Sequence, residues 1–192
     1  MTVNTATPDY IVDGVLTDGE AWVALGTATP SSANVTFTSS TGANDWSQYV
    51  DLVMICYVRS GGSGTWKDIV MNLNNDTASN YVHQYMYGDG SAVTANVATP
   101  AYTGLAYIAG AGSSANVFST VMYDLFDINS GKFTTVYTRC ASEGGNPDTM
   151  WLNGSVWKSQ APVTEIDLIT PSGFAAGSRI DLFGVLPRMV TA

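Results

Sequence analysis

The chain has 192 residues and a formal net charge of -9, from 7 Lys and Arg against 16 Asp and Glu, with one His and two Cys. That length suits one domain, at about 100–200 residues per domain, and such a chain buries enough surface to fold without a staple. The basic residues are few and scattered from Arg59 onward, so no positive stripe exists to neutralise a phosphate backbone or an anionic leaflet, and nucleic acid and membrane are excluded as partners.

Charged residues make up 12% of the chain against a hydrophobic share of 45%. Thr, Ser, Asn and Gly take the place of the missing charge, and these suit strand faces and turns better than helix interiors. In chain order, residues 1–20 stand apart. They carry no basic residue, and Tyr10, Ile11, Val12, Val15 and Leu16 are their main apolar grip. The segment reads equally as an assembly arm that packs on a neighbouring subunit or as a frayed terminus. It has no charged start followed by an apolar stretch, so no secretory signal is expected, and no run approaches the roughly 20 apolar residues of a membrane span. The expected setting is a cytosol.

From residue 21 to 192 the pattern predicts one β domain. Apolar residues alternate or come in short blocks, punctuated by Gly, Pro, Asn and Ser about every ten residues, the rhythm of a sandwich or barrel. Strands are predicted over 21–28, 33–38, 49–59, 66–73, 81–87, 103–109, 117–128, 132–140, 165–170 and 179–185. Asn129-Ser130-Gly131 supplies residues tolerant of positive φ and predicts an antiparallel hairpin between its flanking strands. Gly61–Gly64 predicts a second such hairpin. Residues 117–128 also fit helical spacing through Val117, Val121 and Leu125; the adjoining turn favours strand. In the last strand, Ile180, Leu182 and Gly184 face one way and Asp181, Phe183 and Val185 the other. Apolar groups on both faces place it centrally or under a neighbour.

Residues with chemical potential are sparse. Cys56 and Cys140 sit in apolar stretches and read as buried reduced thiols, with a disulfide between them as the unsupported alternative. His83 in YVHQYMY shares its strand face with Tyr81, Tyr85 and Tyr87, an aromatic surface more than a catalytic setting. Asn72-x-Asn74-x-Asp76 begins like a calcium loop, but no Gly or closing Glu follows, so a turn is the reading. Asp124 with Asp127, and Glu165 with Asp167, are paired carboxylates of the kind used in glycoside hydrolysis, but alternation puts the second pair on the exposed face of a strand, where solvation is the ordinary reading. No catalytic, cofactor or metal site is assigned. Of the five Trp, Trp22 and Trp66 lie in predicted strands and are expected in the core. Trp151 and Trp157 flank Asn153-Gly154 in a loop-rich region and are the candidates for an exposed surface or glycan contact.

Several segments together resemble a domain of tailed-bacteriophage virion structural proteins. VWKSQAPVTEIDLITPSGFAAGSRIDLFGV (156–185) is similar to that family's ending, YVDLVMICYVRS (49–60) to its strand closing on an Arg, LNNDTASNY (73–81) to the turn that follows, and AWVALGTATPSSANVTFTS (21–39) to its opening hairpin. Phe183 stands where the family often has Tyr, and the segment from Lys132 to Arg139 is less basic. The resemblance implies an antiparallel β-sandwich, jelly-roll-like, in a multimeric virion assembly. It implies a non-enzymatic capsid decoration (cement) or head-fibre subunit, expected as a homotrimer on the major capsid protein or other virion proteins. The alternative is a tail, baseplate or receptor-binding fibre domain that contacts host-surface glycans.

Overall fold

The computed structural model describes residues 22–142 and 149–186, together with the backbone of two short strands, β1 (Ile11–Val12) and β2 (Val15–Leu16), which pair antiparallel. The expected arm over residues 1–20, with Tyr10, otherwise lies outside the described residues. Twelve further strands follow: β3 (Trp22–Ala28), β4 (Val35–Thr38), β5 (Asp51–Val58), β6 (Trp66–Leu73), β7 (Tyr81–Gly88), β8 (Val93–Ala98), β9 (Thr103–Ala109), β10 (Ser119–Phe126), β11 (Thr134–Ser142), β12 (Thr149–Trp157), β13 (Glu165–Ile169) and β14 (Arg179–Val185). Two single 3₁₀ turns, Gly42–Asn44 and Trp46–Gln48, join β4 to β5.

The strands form an eight-stranded sheet, β3-β14-β5-β10-β11-β12-β7-β8, packed on a four-stranded sheet, β4-β13-β6-β9, and every pairing is antiparallel. With β7, β8, β11 and β12 set aside, the remaining strands run first-eighth-third-sixth in one sheet and second-seventh-fourth-fifth in the other. That is the order of a jelly roll, two Greek keys folded into facing sheets. The four extra strands are two hairpins inserted between β6 and β9 and between β10 and β13. They join through β7 and β12 and lengthen one sheet only.

Alternation decides what lies inside. Met54 and Cys56 of β5, Val121 and Leu125 of β10, and Ile180 and Leu182 of β14 face Ile69 and Met71 of β6 and Ile166 and Leu168 of β13, all buried. Strand β14 lies between β3 and β5, the covered position its two apolar faces predicted. Phe174 is buried and anchors the corner that leads into it. The hairpin at residues 127–133 joins β10 to β11, with Asp127 at φ 62 and Gly131 at φ 71 in the left-handed region. Residues 117–128 hold strand β10, not a helix.

The Gly61–Gly64 expectation is corrected. Strands β5 and β6 lie in different sheets, so this loop turns the chain from one sheet to the other. Its carbonyls receive the next long loop: Ala111 N–H donates to Gly62 O at 2.9 Å and Gly112 N–H to Gly64 O at 2.8 Å. Arg59 closes the same corner, its guanidinium donating to the carbonyls of Ala111, Ser113, Ser114 and Val117.

Strand β9 is the edge of the small sheet, and side chains from the large sheet's inner face cap it. Ser119 Oγ accepts from Ala109 N–H at 2.8 Å, Asn153 Nδ2 donates to Leu105 O at 3.1 Å, and Cys140 Sγ donates to Tyr107 O at 3.1 Å. Ser155 and Thr103 hydroxyls bond to each other beside them. Ser119, Asn153 and Ser155, buried polar residues of β10 and β12, are thereby explained, since an edge enclosed in the protein must find partners.

Candidate interaction surface

The expected exposed contacts Trp151 and Trp157 are both buried, at 1% and 2%. Residues 149–157 form strand β12 instead of a loop. Thr149, Trp151, Asn153, Ser155 and Trp157 face inward, while Met150, Leu152 and Gly154 face solvent. Trp157 donates its indole N–H to Asp76 Oδ2 at 2.8 Å and stacks on Tyr81. Trp22 and Trp66, expected in the core, are instead 42% and 43% exposed.

Asp76 belongs to the Asn72-x-Asn74-x-Asp76 triple, which is a turn as expected. Asn74 and Asn75 adopt left-handed φ of 52 and 56. Asp76 accepts from Ala78 N–H and Asn80 as well as Trp157, and these bonds hold its carboxyl below the ordinary value although partial burial opposes them. Asn74 Oδ1 accepts from the backbone N–H of Thr164 and Glu165. Of the paired carboxylates, Asp124 holds Arg139 at 2.8 Å and Asp127 holds Lys132 at 3.4 Å. Glu165 bonds Asn75, and Asp167 accepts from Thr36 Oγ1. Cys56 and Cys140 are buried free thiols whose ionisation burial pushes upward, Cys140 to about 12. Among the described residues no cluster of His, Cys, Asp or Glu is arranged to hold a metal ion, and no helix is long and apolar enough to cross a membrane.

Two surfaces stand out. The first is the outer face of the inserted hairpins. Met86 of β7, Val93 and Val97 of β8, and Met150 and Leu152 of β12 are exposed, with Val93 and Met150 each at 70%. Register places Met86, Leu152 and Arg139 in one row across β7, β12 and β11. Gly154 lies in the next row, between Gln84 and Tyr137, and leaves a shallow depression of about 450 Å³. The charges on this face are paired, Arg139 with Asp124 and, further along the sheet, Arg179 with Asp181 at 2.9 Å. Among the described residues the face ends at β8, an open edge strand of sequence VTANVA with no charged residue and no Pro. Natural edges are usually blunted by such residues because unpaired backbone groups recruit another strand.

The second surface is aromatic and lies on the other side of the same hairpin. His83, Tyr85 and Tyr87 line the inner face of β7, as their alternation predicted. Trp151 stacks with Tyr85 at 4.7 Å and Tyr87 at 4.9 Å, and its ring meets Tyr107 at 4.3 Å. Tyr107 in turn carries Trp66 stacked at 4.3 Å. Tyr102 lies 5.9 Å from the His83 ring. Tyr85, Tyr87, Tyr102 and Tyr107 are half-buried, and Asp68 and Asn96 are exposed beside them. Asn96 Nδ2 donates to the Tyr85 hydroxyl at 3.3 Å. Burial first, and then the nearby Asp68 carboxylate, push the hydroxyl of Tyr107 up to about 12 and that of Tyr102 in the same direction. Partial loss of water beside the rings raises Asp68 as well, though the residue is exposed, with Lys67 opposing it, and burial lowers His83, which is therefore neutral near pH 7.

No protein-family model, curated protein or solved structure matches this chain.

Proposed function

We propose that this chain is a structural subunit of a bacteriophage particle, a capsid decoration or head-fibre protein that works by assembly and not by catalysis. The resemblance in residues 21–39, 49–60, 73–81 and 156–185 motivates the reading, and the jelly-roll strand order is compatible with it. Fold alone does not assign function. The observation that carries the proposal is the outer face of the inserted hairpins: apolar, its charges internally paired, and ending in an uncharged open strand. In a chain of net charge -9, such a face lets copies or capsid proteins meet without bringing unpaired carboxylates together.

The proposed partners are two further copies in a trimer and the major capsid protein, with the virion as location. Mass photometry of the purified chain, followed by sedimentation with capsids that lack it, tests this. A trimer that co-sediments is expected, and Val97→Lys and Met86→Glu should abolish association while both variants stay folded. A monomer that ignores capsids overturns the proposal. Placement in a tail, baseplate or receptor-binding fibre is the second reading, favoured by the aromatic surface.

A further inference from the structure

The aromatic surface forms a groove whose walls come from two elements. Strand β6 supplies Trp66 and Asp68, and the β7–β8 hairpin supplies Tyr85 and Asn96; Tyr102 and Tyr107 lie between them. Cross-strand pairing sets Asp68 opposite Tyr107 and Tyr85 opposite Asn96, so each wall presents a ring next to a polar group. The inner side of β8 is open, because Thr94 and Asn96 are exposed where the four-stranded sheet no longer covers them. His83 lies at the base of this groove. It is 1% exposed, its ring meets Tyr85 edge-on at 5.4 Å, and Nδ1 is buried without a hydrogen-bond partner.

We propose that this groove binds a neutral saccharide, one sugar ring lying against the exposed side of Trp66 and its hydroxyls shared among Asp68, Asn96 and the tyrosine hydroxyls. Ring faces bordered by polar tips match a ligand whose C–H faces are apolar and whose rim is a circle of hydroxyls. Charge narrows the class further. Among the described residues Asp68 is the charged side chain at the rings and no Arg lines them, so an anionic sugar, nucleotide or phosphate would meet repulsion. A proline-rich peptide also fits aromatic grooves, but proline offers no N–H, and Asp68, an acceptor only, would stay unpaired. A sugar hydroxyl donates to it.

This site is separate from the outer assembly face, so either proposal can fail while the other stands. The purified chain is titrated with maltotetraose, cellotetraose and tetra-N-acetylchitotetraose by isothermal calorimetry and saturation-transfer NMR, with decaproline as the peptide probe. Binding of at least one saccharide is expected, weakened roughly tenfold or more in Trp66→Ala, the scale of losing one ring stack. Asp68→Asn and Tyr102→Phe, which keep side-chain shape, should weaken it as well. Leu152→Ser, on the opposite face, should bind as the wild type does. Failure of all three saccharides overturns the proposal. So does equal binding by a Trp66→Ala variant that melts cooperatively, or decaproline binding in place of sugar.

Discussion

Replacing Trp151 by Ala separates a structural tryptophan from a ligand-contacting one. The side chain is 1% exposed and meets three tyrosines at 4.3 to 4.9 Å. Truncating a core Trp to Ala costs about 3–5 kcal/mol, and two features set where in that range the loss falls. Tyr85, Tyr87 and Tyr107 are only half-buried, so they can settle into part of the space. The indole N–H is buried without a partner, and deleting it returns about 1 kcal/mol. A net loss of about 3 kcal/mol follows, which at roughly 2–4 °C per kcal/mol for a chain of this size lowers Tm by about 6–12 °C. Trp66→Ala is the internal control. That ring is 43% exposed with a single stack on Tyr107, so its loss is about 1 kcal/mol, or roughly 2–4 °C. Differential scanning calorimetry of the three proteins decides the matter. If Trp151→Ala melts within 4 °C of wild type, or Trp66→Ala costs as much as Trp151→Ala, the burial assignments of these two residues are wrong.

Three further outcomes follow from the structure. His83 is held below its ordinary value of 6.5 by burial, so the unfolded chain takes up a proton first as pH falls. Stability should therefore be constant above about pH 6.5 and decline below it, levelling once the folded-state value is passed; urea midpoints at pH 7.5 and 5.5 should differ in wild type and converge in His83→Gln. Gly173→Ala should prevent folding or cost more than about 3 kcal/mol, because Gly173 has φ 69 and a Cβ there would lie 1.7 Å from Ser32 O. Gly154→Ala should leave Tm unchanged or slightly raised, since a Cβ there meets nothing within 4 Å, and a large loss would show that β12 is misplaced.

The fold class was legible because alternation and turn chemistry agree along most of the chain. Residues 179–185 are a strand with the predicted bounds, and Asn129-Ser130-Gly131 marks a true hairpin. Strand β12 was misread because Asn153-Gly154 is also a hairpin-turn pair. Here Asn153 points inward to cap Leu105 and Gly154 points outward on a straight strand, so local turn preference lost to tertiary pairing. The period-two pattern through Thr149, Trp151, Asn153, Ser155 and Trp157 was the signal against that turn. Strand β8 is not among the predicted strands because Ala95 and Asn96 are weak strand formers, and it stands through pairing with β7. The aromatic face of β7 was visible as YVHQYMY. Its partners Trp66, Asp68, Tyr102 and Tyr107 come from distant segments that only the topology brings alongside.

The capping of β9 reaches beyond local hydrogen bonding. A sheet can be lengthened by a neighbouring molecule only where an outer strand offers free backbone groups, and on the small sheet's β9 side Ser119, Cys140 and Asn153 have already taken the Ala109 N–H and the carbonyls of Tyr107 and Leu105. Growth from that side is closed to other chains by three side chains on three different strands. Among the described residues no strand pairs with the outer side of β8, so any strand-by-strand joining at the hairpin end of the molecule has one direction in which to go.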